Sequence, residues 1–560
     1  MTASRIDSAA VRAAGFPAGN QRMDRASLVV DRGWVHEVLP DRSGFVLRNS
    51  SGLHKVDCRA ASHDVTAGLR ELRPEYVVTV EGHREEEEDG GAGGARLKCT
   101  RITVISESQG MPFTAATRRH ASPALRAKYR YLEFRDPEML AVLRARHTVV
   151  RTWCQYLDDH GFLQVETPLL AHASGSGAHE FGVVSQRGDN VRYALAQSAQ
   201  VYGQLVMAGG IERYYQLCRC FRDEDLRADR QPEFTQLQVE IAFAERDDVI
   251  ELIEGGLRAT CDALGVALPD SIPHIPYSEC LQAYGTDKPD LRVDVSVEQL
   301  PLRLLEHGRR SPLSLLVTRL PDGLHPEVSW WDSVRRIAGV RGAALAGFLD
   351  PGARARYMPF ELPADQAVAQ LQLVPTYRPG LAAVWTVRPP QVRRLHAVLY
   401  DALARLPHRP PTFCPVWVVD FPLFEPAPEG GGLIAANHPF VAPRDECAFA
   451  AARTRQELLA LPSTSFDLVI NGEEVASGSI VNHRPKTQER ILELLAVSRR
   501  ERASSFSFIL ESMRYGMPPI AGVGLGIDRA IALMCGKKKI REVMAFPKTK
   551  GGYCPVAFRG

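Results

Sequence analysis

The residues best placed to do chemistry lie in one run: Tyr215-Gln-Leu-Cys-Arg-Cys-Phe221-Arg222-Asp223-Glu224-Asp-Leu-Arg227-Ala-Asp229-Arg230-Gln-Pro-Glu-Phe234-Thr-Gln236. A strand ending in Arg-Asp-Glu, a charged loop and a returning strand that opens on Phe-Thr-Gln form a hairpin. Its arginines converge on an anionic ligand, because guanidinium forks match phosphate and carboxylate oxygens. Much later stands Gly522-Val-Gly524-Leu-Gly526-Ile-Asp528-Arg529-Ala-Ile-Ala-Leu-Met534, a glycine-rich strand entering a helix with an arginine in its first turn. Small residues let a nucleotide lie against the backbone, and the arginine adds charge to a helix N-terminus that already favours anions. Either segment alone is weak evidence; together they describe a nucleotide site.

Elements must hold these two segments together. Asp136-Pro137 through Gly161 reads as a long amphipathic helix, with Asp136 as N-cap, Pro137 at the first helical position and Gly161 as stop. Leu140, Leu143, Val150, Trp153, Cys154 and Leu157 form its expected apolar stripe. Strands and turns dominate from Phe162 to Ala242, and a helix follows from Asp247 to Leu264. Upstream, Ser27–Val30, Gly44–Arg48, Leu53–Val56, Tyr76–Gly82 and Leu97–Ile105 read as short strands that suit a small closed barrel such as an OB-fold. Glu85 to Asp89, followed by glycines, reads as a solvated hairpin tip.

The chain has 560 residues, 45% of them hydrophobic, which is enough for several cores. Its 68 Lys+Arg against 66 Asp+Glu leave a net charge of +2, so any nucleic-acid contact must come from local basic surfaces. No apolar run suits a signal peptide or a membrane span, and a cytoplasmic protein with a frayed N-terminal tail is expected. Eleven cysteines without zinc spacing read as buried, reduced thiols, with Cys218 and Cys220 on one side of a strand.

The hairpin and the glycine-rich strand resemble motifs two and three of class II aminoacyl-tRNA synthetases, and Gly161-Phe-Leu-Gln-Val-Glu166-Thr-Pro168 resembles motif one. From about Asp31 to Thr549 the chain resembles bacterial aspartyl-tRNA synthetases. Tyr129–Leu132, Tyr284–Arg292, Val419–Phe424, His438–Phe440 and Ile540–Lys548 carry the match beyond the motifs. The resemblance implies an α+β multidomain fold: an N-terminal OB-fold β-barrel, a catalytic domain with an antiparallel sheet flanked by helices, and an inserted α+β domain. The expected divisions are a disordered tail over 1–26, an anticodon-binding-like barrel over 27–110 and a linker over 111–135; catalytic parts over 136–292 and 413–560 then flank an insert over 293–412.

By that resemblance the chain is an ATP-dependent ligase. Arg222 would hold the α-phosphate, Phe234 would stack on adenine with Arg529 behind the ring or the phosphates, and Arg230 would reach the γ-phosphate. Glu224 and Gly526 belong to the same ATP site, with Arg222, Glu224 and Arg529 as the catalytic set. Asp467 and Glu474 match the family's magnesium-binding acids, and hard carboxylate oxygens suit Mg2+. A substrate carboxylate then attacks the α-phosphorus while the arginines and metal stabilise developing charge. Motif one implies a homodimer, and the unaltered loop Asp223–Glu233 implies that a tRNA 3′ end docks.

The amino-acid half departs from the pattern. Gly203 stands where the family has a lysine for the substrate's side-chain carboxylate, and Val481 where it has an arginine. Gln238, Ser176 and Asn437 also replace family residues, the first two of them acidic there. Ser198, Gln200 and Gln236 keep the polar contacts to the α-amino and carboxyl groups, and His438 stays. Without both cations aspartate loses its charge-assisted contacts while its desolvation cost remains. An amino acid other than aspartate, with a neutral side chain, is the expected substrate; His179 or Lys486 as replacement charge is the alternative. In the barrel, Glu37-Val38-Leu39 replaces the family's arginines, leaving Phe45 and Arg48 as nucleic-acid contacts or the barrel as a stabilising domain. Competing readings are a tRNA-independent adenylating ligase, an orthodox or inhibitor-resistant aspartyl-tRNA synthetase, and a non-catalytic tRNA-binding protein.

Overall fold

The computed structural model describes residues 28–59, 61–85, 96–171, 179–185, 192–292, 297–306, 309–319, 344–349, 382–387, 413–427, 431–499, 502, 506–549 and 551–552. Ser176, the 1–26 tail, the hairpin tip beyond Glu85 and Cys554 lie outside them.

The first unit is a closed five-stranded barrel, order β1-β2-β3-β5-β4. Its strands are β1 Val29–Val38, β2 Gly44–Asn49, β3 Gly52–Asp57, β4 Val77–Glu85 and β5 Arg96–Ser106. Alternation sends Val35, Phe45, Leu47, Val56, Val78 and Val80 inward, all at most 1% exposed. Helix α1, His63–Glu71, joins β3 to β4 and was not expected from the sequence; Ser62 caps it by accepting from the Val65 backbone N–H.

Phe45 and Arg48 are not available as nucleic-acid contacts. Phe45 is a core residue, and Arg48 Nη2 donates to Glu75 Oε2 at 2.6 Å in a buried pair. Arg135 adds a second cation to Glu75 at 3.0 Å, and the Ala115 backbone N–H donates to the same carboxylate. These contacts tie the barrel to the segment that follows it. That segment is built rather than loose: short helices Pro123–Lys128 and Arg130–Glu133 lie within it, and Arg130 is bound by the Met544 and Ala545 carbonyls.

The second unit centres on an eight-stranded sheet, order β9-β14-β15-β16-β17-β8-β7-β6. The strands are β6 Leu163–Gln164, β7 Arg213–Phe221, β8 Glu233–Ala242, β9 His274–Pro276, β14 Pro415–Val419, β15 Phe466–Ile470, β16 Glu473–Val481 and β17 Ile520–Gly526. The run from β14 to β7 is antiparallel throughout; only the edge pairs β9–β14 and β6–β7 are parallel. Between β9 and β14 the chain contributes a separate sheet, order β10-β11-β13-β12, from 297–306, 309–319, 344–349 and 382–387. Among the described residues this insert shows strands alone.

One face of the large sheet carries the core. Tyr215, Leu237, Val239, Val523 and Leu525 pack against helices α2 Pro137–Asp159, α4 Arg246–Leu264 and α5 Ile527–Met534. Asp136 caps α2 by accepting from the Glu138 and Met139 N–H groups, and Gly161 follows the helix at φ +77°. The buried stripe is Met139, Val142, Ala145, Val149, Trp153 and Leu157. Trp153 and Leu157 are buried as expected, and Val150 and Cys154 pack half-buried against the core, but toward the N-terminus the stripe is displaced: Leu140 and Leu143 are only half-buried while Met139 and Val142, one position earlier, are buried. Trp153 lies directly on Gly256 of α4, where an added Cβ would come within 2.1 Å of its ring. A further helix, α3 Gln200–Ala208, interrupts the stretch expected to be strands and turns, and it crosses the opposite face of the sheet near β7 and β8.

Candidate active site

The face opposite the core is a furrow. Strand pairing sets its rows: Cys218, Gln236 and Gly526 lie abreast, then Gln216, Gln238, Gly524, Ser477 and Asp467, then Tyr214, Glu240, Gly522 and Ser479. Three glycines along β17 thus leave a bare floor between the polar wall of β8 and the wall of β16. The side chain of Gln236 already lies across Gly524, within 2.1 Å of where a Cβ would stand, so any larger residue there would displace it.

The anionic-ligand end is built by the hairpin and α5. The Arg222 guanidinium lies over the Phe234 ring, 5.2 Å from its centroid, and its buried Nε has no hydrogen-bond partner among the described residues. Arg529 is anchored from behind: Nη1 donates to the Glu474 carbonyl at 2.8 Å and Nη2 meets Asp229 Oδ2 at 3.2 Å. Arg230 is paired with Glu224. Asp528, beside Arg529, accepts from the Thr235 backbone N–H at 2.7 Å and pairs with Arg146 of α2, which fixes the start of α5 against the hairpin. The sequence-predicted ATP residues Arg222, Glu224, Arg230, Phe234, Glu474, Gly526 and Arg529 therefore gather at one end of the furrow.

Asp467 and Glu474 stand at that same end. Asp467 is 5% exposed, its Oδ1 has no partner, and burial followed by the Glu474 charge pushes its carboxyl up to about 8. Two carboxylates that repel each other, one with an orphaned oxygen, fit a divalent cation. Lys288 Nζ contacts Glu474 Oε2 at 2.7 Å. This lysine was not singled out as a site residue, although its segment Tyr284–Arg292 was marked for resemblance alone.

The far end is different in chemistry. Gln200 of α3 reaches His438, whose Nε2 lies 3.2 Å from Ser479 Oγ. The Phe440 backbone N–H donates to His438 Nδ1 at 3.2 Å. Burial pulls this histidine down to about 4, so it is neutral. Val481 is buried in an apolar cluster with Met207, Tyr214, Phe440 and Met513 that closes the furrow. Ser198 precedes α3 and is half-buried; Asn437 is exposed. His179 and Lys486, the alternative cations, are exposed as well.

Glu240 was missed by sequence reasoning. It is 1% exposed, and its Oε1 accepts from Gln238 Nε2 at 3.1 Å while its Oε2 has no partner. Burial raises its carboxyl to about 8, opposed only by the Gln238 hydrogen bond. The period-two alternation of Gln236, Gln238 and Glu240 was the available signal; what it lacked was α3, whose Gly203 rests against this carboxyl.

The described cysteines are free, and Cys218 and Cys220 do face one side, 3.5 Å apart. Among the described residues no helix is long and apolar enough to cross a membrane.

The family model of class II tRNA synthetases (D, K and N) matches residues 122–550. The aspartate–tRNA(Asp/Asn) ligase of Halothermothrix orenii is 33% identical over 555 residues, covering 94% of this chain and 92% of that protein. The aspartate–tRNA(Asp/Asn) ligase of Symbiobacterium thermophilum is 35% identical over 551 residues, covering 93% and 92%. Among solved structures, asparaginyl-tRNA synthetase of Pyrococcus horikoshii with asparaginyl-adenylate is similar in fold, with TM-score 0.57, 17% identity and coverage of 93% and 95%. The Entamoeba histolytica asparaginyl-tRNA synthetase with asparaginyl-adenylate has TM-score 0.58, 14% identity and coverage of 94% and 96%.

Proposed function

Because the chain belongs to the class II tRNA synthetases of the D, K and N group, we propose that it activates an amino acid other than aspartate and transfers it to tRNA in the cytoplasm. Enzymes of this family are ATP-dependent ligases that form an aminoacyl-adenylate and release pyrophosphate, then AMP.

In this reading Arg222 and Phe234 receive the α-phosphate and adenine, and Arg529 is held by Asp229 and the Glu474 carbonyl so that its charge is in place before ATP arrives. Arg230 exchanges its Glu224 partner for the γ-phosphate. Asp467 and Glu474 would hold Mg2+, which supplies charge stabilisation on the phosphates. No side chain acts as nucleophile; the substrate carboxylate attacks in line, and the protein's work is positioning and charge. Gln236, Ser198 and Gln200 orient the amino acid along the glycine floor.

The observation that carries the substrate reading is the far end of the furrow. Gly203, Val481, Ser479, a neutral His438 and the buried Glu240 stand there, and none of these five is a cation. A carboxylate side chain would lose water without gaining a partner. Pyrophosphate exchange across a panel of amino acids tests this; the reading is wrong if aspartate outruns every other member.

A tRNA-independent ligase is the second reading, favoured by the burial of Phe45 and Arg48 in the barrel. Formation of charged tRNA from total tRNA with the verified substrate decides between them. We also propose a homodimer through motif one: Leu163, Leu169 and Leu170 are 54%, 40% and 51% exposed, apolar side chains that a second copy would cover. Sedimentation showing monomer alone would remove it.

A further inference from the structure

The carboxyl of Glu240 lies in a slot between two backbones. Its Oε1 and Cδ come within 2.7 and 3.0 Å of where a Cβ on Gly203 would stand, and its Cγ within 3.3 Å of the same point on Gly522. Oε1 has one donor, Gln238, and Oε2 has none among the described residues. A buried, unpaired carboxyl oxygen is costly, and folded proteins keep one where a ligand completes it.

Position in the furrow says which part of the ligand that is. Glu240 stands six residues along β8 from Phe234, about 20 Å at ~3.3 Å per residue, so it is at the end remote from the adenine platform. Gln236 and Gln238 lie between, and Gln236 is among the residues assigned above to the α-amino and carboxyl groups. The Glu240 side chain leans over Gly522, and Ser479 stands beyond it, two strand spacings or roughly 10 Å from Glu240 across the sheet. The opposite wall is Ser479 with the neutral His438, so Glu240 is the one ionisable anion of that row.

We propose that Glu240 is the specificity-determining residue of the amino-acid pocket and that the substrate is an α-amino acid whose side chain ends in an amine, which donates to the free carboxylate oxygen of Glu240. This rests on the adenylation reading above, narrows its non-aspartate substrate, and replaces the neutral side chain expected from the sequence with a basic one. An amine supplies both things the slot lacks, a hydrogen-bond donor for Oε2 and a positive charge that lets the buried carboxyl ionise. Gly203 and Gly522 place backbone alone, with no side chain, against the carboxyl on those two sides.

The test is pyrophosphate exchange by the full chain with 2,3-diaminopropionate, 2,4-diaminobutyrate, ornithine, lysine, asparagine, norvaline and aspartate, each with the native protein and Glu240→Gln. An amine should give the highest kcat/KM in the native protein. Glu240→Gln, nearly isosteric, should lower that value about 30-fold, chiefly through KM, as expected for loss of one charge-assisted hydrogen bond, and should collapse the ratio of amine to norvaline. That ratio is insensitive to partial unfolding, and the native panel stands whether or not the variant folds. Asparagine or norvaline leading, or an amine leading whose ratio to norvaline is unchanged in Glu240→Gln, overturns this inference and leaves the non-aspartate reading standing. Aspartate leading overturns both, and exchange with no amino acid overturns the adenylation reading on which both depend.

Discussion

Glu240 makes a thermodynamic prediction that requires no substrate. Its carboxyl ordinarily titrates at 4.5, and burial raises it to about 8 in the folded protein. Below the lower value it is protonated whether the chain is folded or not, and pH has no effect through this group. Between the two values the unfolded chain releases the proton while the folded chain keeps it, so the folded state binds more protons and stability falls as pH rises. Above about 8 both states are ionised and the decline ends. At about 1.4 kcal/mol for each pH unit the ceiling is about 5 kcal/mol, and relaxation around the site brings the expected effect to roughly 2 to 3 kcal/mol.

Glu240→Gln removes the titration and keeps the shape. The groups facing Glu240 are Gln238 and Tyr214 on the neighbouring positions of β8 and β7, Gly203 on α3, Gly522 on β17 and, beyond it, Ser479 with His438. Of these Tyr214 is driven above its ordinary range by burial and His438 titrates near 4, so neither changes charge between pH 5.5 and 8. Thermal unfolding of both proteins at steps across that window should show the native midpoint falling relative to the variant by several degrees, at roughly 2 to 4 °C per kcal/mol for a domain of this size. Because the chain has more than one domain, the comparison is made on the transition that the variant shifts. Parallel curves would mean that Glu240 is solvated or paired, and would refute the argument from burial.

Other consequences are separable from that one. Arg529→Ala should lower the rate of pyrophosphate exchange by about a hundredfold or more with little change in the unfolding midpoint, since its contacts to Asp229 and the Glu474 carbonyl hold a charge aimed at the ligand end. Asp467→Asn should raise the divalent-cation concentration needed for half-maximal exchange, and an unchanged requirement would place the metal elsewhere. Arg48→Ala should destabilise the barrel by about 1.5 to 3 kcal/mol by removing one of the two cations paired with Glu75, measured by chemical unfolding, while leaving the salt dependence of tRNA binding as it was. Gly256→Ala should cost about 1 to 3 kcal/mol, because its Cβ would meet the Trp153 ring at 2.1 Å in a helix contact with no free volume.

How far the sequence alone could go depends on which interactions are local. The cap of α2 was legible because Asp136-Pro137 carries its own hydrogen-bonding logic, and the hairpin was legible because its charges are consecutive. The first turns of the α2 stripe came out displaced, since Met139 and Val142 stand next to Leu140 and Leu143 and periodicity cannot say which pair meets the core. Arg48 looked like a surface cation for a related reason: Glu75, 27 residues away, and Arg135, farther still, bury it only after the barrel has closed on the following segment.

The amino-acid pocket shows the same limit more sharply. Gly203 and Val481 could be read as two cations lost, which predicts a neutral substrate if the losses are independent. They are not independent of the strand beneath them. Register places Glu240 opposite Gly522 and Tyr214, and α3 lays Gly203 over its carboxyl, so removing a positive side chain at that position leaves a negative one without a partner. In the substrate we propose, a deletion of charge on one element thereby becomes a reversal of charge at the pocket. The reversal exists only in the crossing of α3 over β8, 37 residues apart in sequence by the distance from Gly203 to Glu240, and any substrate that fits must answer the residue left behind as well as the one that is gone.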